Sequence, residues 1–333
     1  MINNIIKVIS VFIVLCLAAC ATPYRYPPGH SPAMLSLQQD YAVMDDGYRL
    51  PLSVWPSAQA GGCRAVLLAL HGLNDYRNAF ADVGPYLAGQ GVTVYAYDQR
   101  GFGGTEGAGY WHGWQRMVED MRGMITLLHR AYPNCPLFVL GESMGGGVVL
   151  AAQRDAPLNV KGEILVAPAV WSRDSMPWYQ RVGLWLAVHT LPGKRLTGEG
   201  LDLHPSDNIA MLRALGRDPE VIKATRVDVL YGVTNLMDVA AAVPVTRLGN
   251  SLLLYGEHDE IIPREPTCQL LDRLQQTPGP RVKLYPRGYH MLTRDLNARV
   301  VWEDIAHWLL SPNTVIPNRA AINGFCHNSQ RTY

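Results

Sequence analysis

A chain of 333 residues that is 48% hydrophobic and 17% charged has the apolar content for a sizeable core and too little charge for a disordered one. That length suits one large α/β domain or two small ones. Lysine plus arginine number 29 and aspartate plus glutamate 28, so no net field gathers polyanions, and a nucleic-acid partner is not expected.

The first element is not part of the fold. Lys7 is the one charge before the apolar run VISVFIVLCLAA, residues 8–19. The run has the length of a signal-peptide core and falls short of a membrane span. It ends in LAAC, which resembles the bacterial lipoprotein processing box. Residues 1–19 then read as a signal peptide, and Cys20 as the cysteine that is lipidated and becomes the new N-terminus. The plainer alternative is a secretory signal with an incidental cysteine. The lipoprotein resemblance implies the bacterial cell envelope, with a membrane as partner through the N-terminal lipid. With Ala21 rather than aspartate beside the cysteine, it implies the outer membrane. Residues 20–39, rich in proline and without strand or helix periodicity, read as a tether.

From Asp40 the chain becomes regular. Two short extended runs flank Asp46-Gly47, a hairpin signal. AVLLAL at 65–70 is a buried strand, followed by a helix near 76–89 and a second strand, VTVYAY, at 92–97. The next segment puts Trp114, Met117, Met121, Met124, Ile125 and Leu128 on one helical face. Strands follow at 137–141 and 162–168 with a small-residue helix between them. Later come a strand at 251–256, a helix near 264–276, a strand at 281–286, a helix near 295–310 and a tail, 311–333. Continuous Val/Leu runs alternating with helices mean a parallel sheet covered on both faces. Residues 171–246 break that rhythm with aromatic-rich helical segments and read as a cap inserted in a core formed by 40–170 and 247–310.

Export implies an oxidising compartment. Apart from Cys16 and Cys20, the chain has Cys63, Cys135, Cys268 and Cys326. Cys63 and Cys135 each stand two residues before an apolar run, so adjacent parallel strands would bring them to one sheet edge. Cys268 and Cys326 would then be left to pair; four free thiols is the alternative.

The stretch LGESMGGGVVL, 140–150, carries the chemistry. A G-x-S-x-G pattern alone is weak, but here a strand precedes it and a helix with almost no side chains in its first turn follows. That is the context a nucleophile elbow requires, with Gly141 and Gly145 relieving the crowding around Ser143. A phosphate cradle is excluded because no Lys-Ser/Thr pair follows the glycines. A serine hydroxyl needs a base, and the base an orienting acid, in the chain order Ser, Asp or Glu, His. Asp259 lies in a loop after the strand SLLL, and His290 in a loop after the next strand. Glu257 and Glu260 are rivals for the acid, and a purely structural His290 is the bland alternative. Backbone N–H groups of Leu73 and Met144 would converge on the oxyanion, with His71 holding the loop.

The stretches HGLND, YDQRGFGGTEG, GESMGGG, GEHDEIIP and GYHML resemble the α/β-hydrolase family, specifically its monoacylglycerol lipase and lysophospholipase branch, over about residues 40–310. The resemblance implies an α/β fold with a mostly parallel eight-stranded sheet and a helical cap after the sixth strand. It implies Ser143 as nucleophile, Asp259 as acid and His290 as base, no metal and no organic cofactor, and a lipid ester as substrate. It makes the third and fifth strands neighbours, which supports Cys63–Cys135, and gives Asp98 and Arg100 a loop-holding role.

In the cap, Trp171, Met176, Trp178, Tyr179, Val182, Trp185, Leu186 and Val188 are expected to serve mostly as the cap's own core. A few of them, with Trp171, Trp178, Tyr179 and Trp185 as the candidates, would line an acyl pocket. The leading functional expectation is a membrane-tethered serine ester hydrolase for single-chain lipids. The alternatives are a serine aminopeptidase of the proline-iminopeptidase kind, gripping its amine through cap acids such as Asp174 or Glu199, and an inactive lipoprotein scaffold. Dehalogenases and epoxide hydrolases of this fold need an aspartate where Ser143 stands.

Overall fold

The structure is a computed structural model that describes residues 22–29, 31–59, 63–275, 281–311 and 319–327. The signal run and Cys20, with its expected lipidation, lie outside the described residues. The strands are β1 Ser36–Leu37, β2 Tyr41–Val43, β3 Arg49–Trp55, β4 Ala65–Leu70, β5 Val92–Tyr97, β6 Leu137–Glu142, β7 Gly162–Val166, β8 Arg195–Thr197, β9 Ala224–Arg226, β10 Ser251–Gly256 and β11 Arg281–Tyr285. The main sheet has the order β1-β2-β3-β5-β4-β6-β7-β10-β11. From β5 to β11 its strands are parallel, and β1, β2 and β3 add antiparallel at one edge. It is the expected eight-stranded sheet with the two-residue β1 added.

The burial of both faces follows from residue alternation. In β4, Ala65, Leu67 and Ala69 enter one apolar cluster, which includes the turn Arg77–Phe80 and the helices Val83–Gly89 and Ala298–Leu310. Val66, Leu68 and Leu70 enter the opposite cluster, under the helices Trp114–Ala131, Met144–Ala152 and Arg264–Gln275. With apolar neighbours on both sides, a polar/apolar alternation has no place, so these strands read as unbroken Val/Leu runs. The segment expected as one helix near 76–89 is a 3-10 turn and a seven-residue helix.

The inserted segment holds the helices Trp178–Thr190, Ile209–Arg217 and Val227–Ala241 and an antiparallel ribbon of β8 and β9. The last helix departs from the expected boundary at 246. Val229, Val233, Leu236, Met237 and Ala240 are buried in the main core. Gly147 on the facing helix leaves room for Leu236, 3.4 Å from where a Cβ would stand. The helix Val227–Ala241 therefore belongs to the body.

The described part of the expected tether is laid along the body. Tyr26 N–H donates to Trp111 O at 2.8 Å and Ala33 N–H to Asp45 O at 2.7 Å, while Gly29 N–H donates to Asp46 Oδ2 at 2.8 Å. Both disulfides are present: Cys63–Cys135 across the paired strands β4 and β6, with Cα atoms 5.7 Å apart, and Cys268–Cys326 at 5.6 Å. The second joins the helix Arg264–Gln275 to a tail helix, Arg319–His327.

Candidate active site

Strand β6 ends at Glu142 and a helix begins at Met144, which leaves Ser143 to make the turn alone. Its φ of 52° lies in the left-handed region that L-residues avoid, and such strain persists only where the surroundings over-determine it. Here Ser143 N–H donates to Val166 O at 2.9 Å, and Ser143 O accepts from Gly147 at 3.0 Å and Ala169 at 2.9 Å. The glycines allow the tight turn. A Cβ on Gly141 would sit 2.5 Å from the backbone of Gly145 and Gly146, and one on Gly145 would strike the carbonyl of Leu70.

The loop after β4 closes one side. A Cβ on Gly72 would stand 3.3 Å from Ser143 Cβ and 3.8 Å from its Oγ. Behind it, buried His71 donates from Nδ1 to Gly72 O at 2.8 Å and accepts from Gln99 N–H through Nε2 at 2.9 Å. With both nitrogens engaged and burial holding its pKa below the ordinary value, this imidazole is a neutral brace. Among the described residues, the N–H groups of Leu73 and Met144 donate to no main-chain carbonyl outside their own elements. Asp98 and Arg100 hold their loop, Asp98 through Arg77 and the Gly104 N–H, Arg100 through Asp46 and Asp120.

Asp259 Oδ1 accepts from the N–H groups of Ile261 and Ile262 at 2.8 and 3.0 Å, which orients the carboxylate. Its Oδ2 is 2.8 Å from His290 Nδ1. The rival Glu260 is turned away, accepting from His204 N–H at 2.7 Å. Burial disfavours the charged imidazole of His290, but the charge and hydrogen bond of Asp259 outweigh it and raise the pKa. The pairing leaves Nε2 to act. Among the described residues no hydrogen bond joins it to Ser143 Oγ; such contacts often tighten only when substrate binds.

What links the histidine loop to the elbow is a group that motif reading passed over. Glu142 accepts from Thr293 Oγ1 at 2.9 Å and from Arg294 at 3.1 Å, and Arg294 also reaches Asp75 at 2.7 Å. The available signal was Glu142 itself, a carboxylate in a strand that must be buried, which demands a partner. The inserted segment is sewn to the same loops. Met291 N–H donates to Pro205 O at 2.9 Å, Ser206 Oγ to Asp295 at 2.6 Å, and Asn74 Nδ2 to Thr225 Oγ1 at 2.7 Å.

The cap aromatics are placed otherwise than expected. Trp171 is half-buried against the core, but Trp178, Tyr179 and Trp185 are 73%, 59% and 51% exposed, and Val182 and Leu186 are exposed with them. Only Val188 of that helix is buried, so these side chains are not the cap's core. The helix rests on too little protein to cover its apolar positions, since the third helix of the insert, Val227–Ala241, has gone into the body.

Residues 61–297 match the family described as serine aminopeptidase, S33. The chain belongs to this family. Relatives of similar sequence include the monoacylglycerol lipase of Mycolicibacterium smegmatis, 28% identical over 281 residues, which are 80% of this chain and 94% of that one. Monoglyceride lipase of Homo sapiens is 25% identical over 307 residues, 86% of this chain and 95% of that one. Among solved structures, the monoacylglycerol lipase of Paleococcus ferrophilus has a TM-score of 0.66 at 23% identity, covering 79% of this chain and 99% of its own. A soluble variant of Saccharomyces cerevisiae monoglyceride lipase, in complex with a substrate analogue, has a TM-score of 0.67 at 20% identity, covering 87% and 100%. The fold of this family member is that of the α/β-hydrolases.

Proposed function

We propose that this serine hydrolase cleaves monoacylglycerols and related single-chain lipid esters through an acyl-enzyme. The observation that carries the reading is the strained Ser143, flanked by the Gly72 loop and tied through Glu142 to the loop that presents the Asp259–His290 pair. His290 Nε2 takes the hydroxyl proton as Oγ attacks the ester carbonyl. The developing oxyanion is held by the N–H groups of Leu73 and Met144. His290 returns the proton to the departing glycerol oxygen, and a water activated by the same imidazole then releases the fatty acid. The substrate class rests on the likeness to monoacylglycerol lipases and on the exposed apolar helix of the cap. The acids expected to grip an amine for the peptidase alternative, Asp174 and Glu199, are exposed, and buried Asp75 and Glu142 are taken by Arg294.

The membrane side of the proposal is that Cys20 carries a lipid in a bacterial envelope, in the outer membrane, a reading supported by the LAAC box and by two disulfides that suit an oxidising compartment. The test of the chemistry is a fluorophosphonate probe and a panel of monoacylglycerols, lysolipids and aminoacyl amides. The wild type should label at Ser143 and hydrolyse monoacylglycerol. Ser143→Ala should neither label nor turn over, a loss of at least about 10⁴-fold, with an unchanged circular dichroism spectrum. Retained hydrolysis in Ser143→Ala overturns the nucleophile, and amide cleavage without ester cleavage overturns the substrate class.

A further inference from the structure

We infer that Arg294 is a positioning residue that locks the oxyanion loop, the nucleophile elbow and the histidine loop into one register. The inference rests on the proposed triad but adds a part that the triad does not contain. Arg294 follows His290 by four positions, Asp75 follows Leu73 by two, and Glu142 adjoins Ser143. One nitrogen of the Arg294 guanidinium, Nη2, lies 2.7 Å from Asp75 Oδ2 and 3.1 Å from Glu142 Oε1. The second oxygen of Glu142 accepts from Thr293, also on the histidine loop, so both of its oxygens are held by the strand of chain that carries the base. Asp75 is in turn fixed within its own loop by accepting from Tyr76 N–H at 2.9 Å. All three charged side chains are nearly sealed, at 6%, 7% and 2% exposure.

A buried ionic triad adds little stability over apolar side chains of equal volume, because desolvation offsets the attraction. What it supplies that leucines cannot is direction. The three loops come from distant parts of the chain, and this cluster ties them through side chains. Both carboxylates meet one nitrogen, Nη2, whose position is set by the plane and reach of the guanidinium; an ammonium on a freely rotating stem does not hold that point. A shift of this nitrogen moves Leu73 N–H, Ser143 Oγ and His290 relative to one another, and misplacement by about 1 Å can cost about 10²-fold in rate.

The cluster is also electrostatic. Two carboxylates against one guanidinium leave a net negative charge near His290, where Glu142 favours the imidazolium and Arg294 opposes it, beside the dominant Asp259. Other ionisable neighbours of these loops include neutral His71 with Asp98 beside it, His258 stacked on Tyr289, and Asp295, which is near Asp207 and held by Ser206 and Tyr289 N–H with burial raising its pKa to about 6.

The experiment measures kcat, KM and the pH profile on a soluble short-chain ester for Arg294→Lys, Arg294→Met and Glu142→Gln of the full chain, with thermal melts alongside. Arg294→Lys keeps the charge and loses the planar head and the reach that place Nη2 between the two carboxylates: kcat should fall about 10- to 100-fold, with KM and the acid limb of kcat/KM unmoved. Arg294→Met should fall at least as far and shift the acid limb to higher pH, since Glu142 then faces the imidazole unopposed. Glu142→Gln keeps an oxygen that can accept and is the variant least disposed to misfold; its acid limb should move to lower pH. Wild-type kcat in Arg294→Lys, or losses carried by KM alone, overturns the inference, as does an unmoved acid limb in Glu142→Gln. Fluorophosphonate labelling separates the two claims. A wild type that does not label at Ser143 removes the reaction itself, whereas equal labelling rates in wild type and Arg294→Lys remove only the positioning role.

Discussion

In β4, β6 and β7 every residue is buried, whereas in the cap helix Trp178–Thr190 only Val188 is. The sheet and its elbow are packed so tightly that glycines are required for backbone to pass backbone. The cap helix carries aromatic and aliphatic side chains of similar size and leaves them facing outward. Local composition is apolar in both regions, so composition does not decide burial. What decides it is whether the fold supplies a second surface. The sheet has a helix layer on each face. The cap has a two-stranded ribbon, and its third helix is already committed to the core. The difference predicts where a substitution acts on stability, where on chemistry and where on neither.

The largest effect should come at the rim of the sheet. Asp259→Asn removes the charge that holds the imidazole tautomer, and kcat should fall by about 10³- to 10⁴-fold. The pH profile carries a sign. His290 must be neutral to accept the proton, so activity is lost as pH falls through its pKa. Asp259 holds that pKa above the ordinary histidine value against the effect of burial. The acid limb of kcat/KM should therefore lie above that of an ordinary histidine in the wild type, and the residual activity of Asp259→Asn should persist to lower pH. A limb that does not move separates His290 from the measured step.

The next test is steric. In an ordinary helix Gly→Ala stabilises by about 1 kcal/mol. At Gly145 the new methyl would meet the Leu70 carbonyl, so Gly145→Ala should instead cost about 1–3 kcal/mol in urea unfolding. A gain in stability would show that the elbow is looser than its contacts imply.

Much of this was legible in the residues. Buried parallel strands leave unbroken apolar runs, so β4, β5, β6 and β10 are legible, but the register of β4 with β6 is not: Cys63 and Cys135 each stand two residues before a run, yet Val66 rather than Ala65 pairs with Leu137. The Ser143, Asp259 and His290 loops share a simple property, each lying after a strand of the sheet, although the third strand, β11, is the mixed RVKLY. Arg294, Glu142 and Asp75 have no such shared marker. Three charges at unrelated spacings say nothing until the loops are folded together. The cap was misjudged for a different reason. An amphipathic or apolar segment tells which face wants cover, not whether cover exists, and Trp178 and Trp185 looked the same as core residues would.

The opposite end of the sheet offers a titration that leaves the chemistry alone. Glu163, the second residue of β7, lies away from the site, hydrogen-bonded by Gln153 and Ser251, and burial pushes its carboxyl up to about 7. A folded pKa above the unfolded one means that the folded state holds the proton more tightly. The associated stability is present at acid pH and lost as pH rises through about 7. Glu163→Gln should thus stabilise the protein by about 1–2 kcal/mol near pH 8, fading to nothing toward pH 4. A pH-independent difference would mean that the carboxyl does not titrate in this range.

The smallest effect should be at the cap, and it is the one that distinguishes unused apolar surface from working surface. Trp178 and Trp185 are more than half exposed, so replacing each by serine should change stability by less than about 0.5 kcal/mol. Turnover of a soluble acetate ester should also be unchanged, because neither side chain takes part in the hydrogen bonds that hold the triad loops. Trp and Tyr side chains favour the boundary between water and lipid, however, and a monoacylglycerol is presented in an aggregate. On emulsified long-chain substrate the double variant should lose about three- to ten-fold in kcat/KM, equivalent to about 0.7–1.4 kcal/mol, with the loss in KM. If soluble and emulsified substrates respond alike, the exposed helix has no part in reaching lipid. If stability falls by 2 kcal/mol or more, the helix is packed in solution against something that the folded chain alone does not provide.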